Sequence, residues 1–174
     1  MKMFDKEYTF RGTHAEKVLR LRGQFDEQKN QIFASNYRVY MLAPIVGFLF
    51  QATGERNSDG RETKIFPNEL YQIRDDLMFT YRLIMLLDKK HEPNFEERVD
   101  KAFRYYGSDK AAGDMERFES YVLGGVDKLY EKIMEGAQNP EDYLKNFYNF
   151  MEEIDERYSS TTEDILDLCR LAKE

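Results

Sequence analysis

Residues 40–52 read YMLAPIVGFLFQA and form the most apolar stretch of the chain. Apolar side chains fall on nearly every side of a helix built from this stretch, and a helix without a polar face is buried at the centre of its fold. We therefore predict a central helix over residues 37–53, with Ser35 or Asn36 as its N-cap.

Two residues inside this stretch affect how the helix packs. Pro44 removes one backbone donor, so we expect a kink near Tyr40. Gly47 has no side chain and allows a neighbouring element to approach closely. The stretch holds about 13 residues, and a membrane-spanning helix needs roughly 20. The sequence therefore favours a buried helix over a membrane helix.

Six further segments combine helical apolar spacing with end signals. Capping boxes are predicted at Thr13, Asn94 and Ser160, and Pro67 and Pro140 suit the first turn of a helix. The sequence predicts an all-α fold, a compact bundle of about seven helices in one domain over residues 1–174. The six segments are residues 14–25, 67–90, 94–107, 114–134, 139–158 and 162–173.

The same spacing selects the side chains that should face the core. In the last predicted helix, Cys169 is expected to be a small core residue. Gly124 and Gly125 lie in the middle of a helix, where each costs about 1 kcal/mol relative to Ala, so close helix packing or a kink is the expected reason. Over residues 67–90 the predicted core face is Leu70, Ile73, Leu77, Tyr81, Ile84 and Leu87 or Leu86. Over residues 94–107 it is Phe95, Val99, Ala102, Phe103 and Tyr106.

Two segments outside the helices have their own signatures. Residues 7–11 alternate polar and aromatic side chains, as a strand or an extended arm does, so we expect an extended arm over residues 1–12. Residues 54–64 read GERNSDGRETK, which is charged and contains the turn signal Asp59-Gly60. We expect a mobile loop there.

The composition excludes several classes of protein. The chain of 174 residues is 41% hydrophobic with 13 Phe and 12 Tyr, which is ample apolar surface for a core and excludes a disordered chain. A single Cys rules out an intramolecular disulfide and suits a reducing compartment. Residues 1–10 have no apolar run of the kind that a signal peptide needs. A cytoplasmic protein without a membrane segment is expected.

No catalytic or metal-binding motif is found in the sequence. P-loop, G-x-G-x-x-G, H-E-x-x-H, C-x-x-C and G-x-S-x-G patterns are all missing. The two histidines are His14, expected to be exposed in a first helical turn, and His91 at a helix end. The sequence predicts no catalytic residue, no metal site and no cofactor. It favours a protein that is not an enzyme, and a small enzyme that uses scattered carboxylates is the alternative.

The charge is uneven along the chain. The net charge is −7, but residues 1–40 hold eight Lys or Arg against five Asp or Glu, and residues 131–174 hold five against twelve. Basic side chains beside a helix N-terminus suit phosphate groups, although they can equally serve to solubilise the first helix. The order of arm, helix, loop and helix is similar to that of ribbon-helix-helix DNA-binding modules, though only the order matches. The candidate nucleic-acid-binding residues are Arg11, Lys17, Arg20 and Arg22.

Aromatic side chains supply the candidates for contact with another protein. Tyrosine suits half-wet positions because one end of its ring is polar, and a few buried anchors carry most of the affinity of an interface. The sequence leaves the oligomeric state open, including a homo-oligomer. The candidate partner-binding residues are Tyr105, Tyr106, Tyr121, Tyr130 and Tyr148.

Two stretches give a family resemblance that spans residues 8–90. Residues 33–50 read FASNYRVYMLAPIVGFLF, and residues 63–88 follow, with Ile65-Phe66 opening a long apolar helix that ends in Leu-Leu-Asp. This pattern resembles small accessory proteins of bacterial DNA phosphorothioation (Dnd) and other restriction-like phage-defence systems. The resemblance implies an accessory or adaptor subunit that binds a larger nuclease or ATPase. Direct nucleic-acid binding through the basic N-terminal region is the alternative.

Overall fold

The computed structural model describes residues 3–158 and is predominantly helical. The predicted helix over residues 162–173, with Cys169 and the capping box at Ser160, lies outside the described residues. The helices are α1 (Gly12–Leu21), α2 (Asn36–Leu49), α3 (Pro67–Gln72), α4 (Arg74–Leu87), α5 (Phe95–Val99), α6 (Ala112–Ile133) and α7 (Pro140–Tyr158). The strands are β1 (Tyr8–Arg11) and β2 (Glu62–Ile65).

The two strands form a small antiparallel sheet that makes the fold mostly α. Tyr8 lies opposite Ile65 and Arg11 opposite Glu62. Part of the predicted N-terminal arm is therefore a strand, which was one of the two forms expected for it. The predicted loop over residues 54–64 was wrong at its C-terminal end. The loop gives way to β2 at Glu62, because Thr63 and Ile65 are β-branched and pair with an aromatic strand.

The centre of the fold is the close contact between α2 and α6. A Cβ built on Gly125 would overlap the carbonyl oxygen of Ala43, and one built on Gly47 would overlap the carbonyl oxygen of Tyr121. The predicted close approach at these glycines is confirmed. Pro44 lies inside α2 and is buried, and the kink there stays a prediction.

The third predicted helix and the start of α1 differ from the prediction. The helix expected over residues 67–90 is divided at Ile73 into α3 and α4, although its predicted face is buried from Leu70 to Ile84. The capping box at Thr13 was wrong, because the Thr13 hydroxyl accepts a hydrogen bond from Asn57 Nδ2 at 3.0 Å and the N-cap position, Arg11, makes no side-chain cap hydrogen bond.

The segment after α4 has a different core face from the predicted one. Asn94 caps α5 as expected, accepting from the amides of Glu96 and Glu97. Residues 100–104 then form a π-helical turn, whose wider turn rotates the side chains that follow. Phe95 and Phe103 are exposed, and Arg98 is buried instead. The prediction of Phe95 and Phe103 as core residues was wrong.

The last two described helices follow the prediction closely. α6 begins two residues before the predicted segment and ends one residue before its end. The side chain of Asn139 accepts a hydrogen bond from the amide of Asp142 at 3.0 Å, which places Pro140 in the first turn of α7. Within residues 3–158, no helix has both the length and the apolar character needed to cross a bilayer.

Candidate functional site

Two of the predicted nucleic-acid-binding residues, Arg11 and Lys17, form ion pairs within the protein. Arg11 Nη2 lies 3.0 Å from the Glu62 carboxylate across the sheet. Lys17 Nζ donates to Asp127 of α6 at 2.8 Å. Burial raises the pKa of Asp127, but hydrogen bonds from His14 and Lys17 outweigh it and leave the pKa below its usual value. These ion pairs link β1 to β2 and α1 to α6.

The other two, Arg20 and Arg22, also have partners. Arg20 Nη1 donates to the Tyr130 hydroxyl at 2.8 Å, and this hydrogen bond raises the pKa of the Arg20 guanidinium. Arg22 Nη1 donates to Asn36 Oδ1 at 3.0 Å. Nucleic-acid binding through these residues stays a prediction, and a mobility-shift titration with an Arg20→Glu/Arg22→Glu variant tests it.

The candidate partner-binding tyrosines have very different exposures. Tyr121 is fully buried at 0%; its hydroxyl donates to Asp88 at 2.7 Å and accepts from Arg117 at 2.8 Å. Burial, reinforced by the hydrogen bond to Asp88, raises the pKa of Tyr121 to about 12. Its prediction as an exposed ring was wrong, because a phenol with two buried polar partners is stable in a core.

The remaining four candidate tyrosines lie apart on separate elements. Tyr105 and Tyr106 follow the π-helical turn and are half-buried, as is Tyr130 on α6. Tyr148 on α7 is 62% exposed. Their distribution over three parts of the fold does not define one contact surface.

The histidines also differ from the expectation. His14 is buried, with Nε2 3.4 Å from Asp127 Oδ1 and Nδ1 3.3 Å from Asn57 Nδ2, so its prediction as an exposed residue was wrong. His91 is exposed. No group of three or more His, Cys, Asp or Glu residues within the described part of the chain is placed to hold a metal ion.

An exposed apolar surface covers neighbouring faces of α2 and α4, and we call it the α2–α4 surface. On α4, Phe79 is 68% exposed, and Leu83 and Leu87 are exposed one and two turns further along. On α2, Ile45 is exposed, with Met41 and Leu42 half-buried beside it. The surface consists of Ile32, Met41, Leu42, Ile45, Phe79, Leu83 and Leu87.

The α2–α4 surface is shaped as two hollows on either side of a ridge. Met41 and Ile45 line both hollows and form the ridge between them. The first hollow, of about 350 Å³, lies towards Ile32 and Arg38. The second, of about 240 Å³, lies towards Phe79 and Asp76 on α4. The lining of the first hollow therefore includes a basic residue, and that of the second an acidic one.

Helical spacing along α4 contains a signal for this surface. Phe79, Leu83 and Leu87 follow each other at intervals of four residues, so they share one face of the helix. That face differs from the buried one, which runs through Leu77, Tyr81 and Ile84. Two apolar faces on one helix indicate a core face and a second, contact face.

Comparison with protein-family models, with curated proteins and with solved structures finds no match to this chain.

Proposed function

We propose that the protein is a non-catalytic adaptor subunit that binds a larger protein by holding one of its amphipathic helices on the α2–α4 surface. The observation that carries this proposal is the pair of apolar hollows on either side of the Met41–Ile45 ridge. A helix laid in a groove anchors itself through side chains spaced three, four and seven residues apart. Two adjacent hollows suit two such anchors.

The exposed apolar area supports a contact function. Phe79, Leu83 and Leu87 are each at least 41% exposed, and they continue the surface along α4 beyond the second hollow. Contiguous apolar surface of this kind mostly marks binding sites in soluble proteins. Large aromatic and aliphatic side chains in its centre would supply the anchors of the interface.

The charged residues in the two hollows define the partner helix further. Arg38 lines the first hollow and Asp76 the second, and α2 carries no acidic residue. The complementary helix has an acidic residue over Arg38 and a basic residue over Asp76. Because acidic residues favour helix N-termini, the N-terminal end of the partner helix lies over Arg38.

The resemblance in residues 8–90 suggests what this larger protein is. We propose that the partner is a nuclease or an ATPase in a DNA-processing or antiviral defence complex. In such a complex the adaptor would act by binding alone.

Co-purification from the native host tests the proposal. Ile45→Asp and Phe79→Asp each place a charge in the surface without altering buried side chains, and we expect each to abolish capture of a stoichiometric partner. Tyr71→Asp is the matched control, because Tyr71 on α3 is 73% exposed and lies outside the surface. The captured protein is then expressed alone and titrated calorimetrically against the four purified proteins.

Two results would overturn the proposal. One is a partner that binds the Ile45→Asp and Phe79→Asp variants as tightly as it binds the wild type. The other is a loss of binding by the Tyr71→Asp control that equals the loss by the surface variants.

A further inference from the structure

A separate cavity of about 150 Å³ lies beneath the N-terminal strand, away from the α2–α4 surface. One side of it is apolar and is formed by Met3, Phe4, Leu70 and Met115. Its volume equals that of roughly five water molecules. It is therefore large enough for a molecule of a few heavy atoms and too small for a nucleotide or a peptide.

Two tyrosines line the opposite, polar side of the cavity. Tyr8 of β1 is 8% exposed and Tyr40 of α2 is 2% exposed, and their ring centroids lie 4.4 Å apart. Neither phenol has a hydrogen-bond partner among residues 3–158, and only burial and nearby charges shift their pKa values. Neither hydroxyl is among the fully buried atoms that lack a partner, so both reach the open space of the cavity and can bond to a molecule within it.

An ion pair completes the polar side. Arg56, from the loop after α2, lies 2.5 Å from the carboxylate of Glu119 on α6. The Arg56 side chain is 64% exposed and the Glu119 side chain only 21%, so the guanidinium lies towards solvent. Burial raises the pKa of Glu119, although Arg56 acts against this.

Neither phenol has an acceptor within hydrogen-bond distance among residues 3–158, although the carboxylates of Glu7 and Glu119 also line the cavity. Burial, followed by the charge of Glu119, raises the pKa of Tyr8, and the phenol therefore stays protonated and able to donate. Burial raises the pKa of Tyr40 in the same way. With Arg56 these groups make three donors around one space, and an oxygen with free lone pairs satisfies them. A cation would leave both phenols without an acceptor.

We propose that this cavity binds a small monocarboxylate with a short alkyl chain, whose oxygens accept from Tyr8, Tyr40 and Arg56. Its alkyl chain packs against the apolar side of the cavity. The ligand competes with Glu119 for Arg56, so binding takes up a proton at Glu119. The other charged groups near this carboxylate are Glu116 on α6 and, at the rim, Lys6 and Glu7.

Butyrate is the probe that tests this proposal. We titrate isotopically labelled protein with butyrate and follow backbone amide resonances by NMR. The wild type is expected to show saturable shifts around the cavity, with tighter binding at lower pH. Tyr8→Phe and Tyr40→Phe each remove one hydroxyl and keep the ring, and each should weaken binding about tenfold, which is the loss of one charge-assisted hydrogen bond.

Three further measurements make the result specific. Tyr81→Phe removes another buried hydroxyl without a partner, but Tyr81 does not line the cavity, so the affinity should not change. Arg56→Gln changes a side chain that is mostly exposed and not part of the core. This variant should also bind butyrate more weakly, and unfolding of the core would not explain the loss. Butylammonium and butanol, of the same length, should bind at least tenfold more weakly than butyrate.

Three outcomes would overturn the proposal. They are the lack of any saturable butyrate binding, butylammonium or butanol binding as tightly as butyrate, and equal losses in the Tyr81→Phe and Tyr8→Phe proteins. None of them bears on the α2–α4 surface, because Tyr8 and Tyr40 lie outside it.

Discussion

Gly125 of α6 packs directly against the backbone of Ala43 in α2. A Cβ placed on Gly125 would overlap the carbonyl oxygen of Ala43 and approach its carbonyl carbon. The neighbouring Gly124 faces the carbonyl of Ala52 in the same way. The glycines therefore set the distance between the two central helices. The contact is formed by backbone atoms, which cannot rotate away as a side chain can.

Gly125→Ala is expected to lower the free energy of unfolding by about 3 kcal/mol, at the upper end of what overpacking costs. The added methyl group has to separate α2 from α6, because the atom that it meets belongs to the backbone. Urea denaturation followed by circular dichroism measures the loss.

Gly113→Ala is the matched control for this substitution. Gly113 lies in the first turn of the same helix, and a Cβ there meets nothing within 4 Å. Here Ala improves the helix propensity and should raise stability by up to about 1 kcal/mol. Equal effects of the two substitutions would contradict the close contact between α2 and α6.

Two buried tyrosine hydroxyls are expected to have opposite effects on stability. The Tyr81 hydroxyl is buried without a partner, so Tyr81→Phe should raise the free energy of unfolding by about 1 kcal/mol. The Tyr121 hydroxyl donates to Asp88, which is itself buried, so Tyr121→Phe should lower it by about 2 kcal/mol. Thermal unfolding of both variants measures the difference, and a shift of the same sign in both would contradict this account.

Asp127 should make stability depend on pH in the acid range. Because hydrogen bonds from His14 and Lys17 hold its pKa below 3.8, its contribution is complete above pH 3.8 and is lost as the pH falls through the folded-state pKa. Asp127→Asn should therefore be less stable than the wild type at neutral pH, and the difference should shrink below pH 3.8.

Denaturant unfolding at a series of pH values measures how the difference in the free energy of unfolding between Asp127→Asn and the wild type shrinks. Asp109→Asn, at an exposed position in a short turn, controls for the general effect of removing a negative charge. A difference between Asp127→Asn and wild type that stays constant into the acid range would show that the carboxylate is not held by its partners.

Arg98 is expected to stabilise the end of α4. It is 5% exposed and donates to the carbonyl oxygens of Leu86, Glu92 and Pro93 at 2.8 to 2.9 Å. Lysine keeps the charge but cannot reach three carbonyls at once. Arg98→Lys should lower the free energy of unfolding by about 2 kcal/mol in denaturant titrations.

The control for this substitution is Arg104→Lys. Arg104 forms an exposed ion pair with Asp100, with its side chain 75% exposed, and exposed pairs contribute little. Arg104→Lys should lower the free energy of unfolding by no more than about 0.5 kcal/mol. A loss for Arg98→Lys no larger than this would mean that the buried guanidinium is not a structural link.

The features that the sequence predicted well are local ones. Asn94 and Asn139 were assigned as caps because a short amide side chain beside a free helix amide has one obvious partner. The buried face from Leu70 to Ile84 follows from helical spacing alone. The glycines at the α2–α6 contact were identified because glycine inside a helix is costly and needs a compensating contact.

The features that were missed depend on residues distant in sequence. β2 pairs with a strand about 50 residues earlier, and Thr13 loses its capping role because Asn57 takes its hydroxyl. Arg98 is buried because its guanidinium donates to the carbonyl oxygen of Leu86 at the end of α4, twelve residues earlier. The polar side of the cavity joins residues from separate elements, so no short motif contains it.

Hydrogen exchange of the purified protein, with and without any partner captured by co-purification, tests the proposed adaptor function most directly. The account predicts that the partner slows exchange of backbone amides around Met41–Ile45 of α2 and Phe79–Leu87 of α4, while α7 is unchanged. Slower exchange confined to α7 or to the N-terminal sheet, with α2 and α4 unaffected, would contradict it.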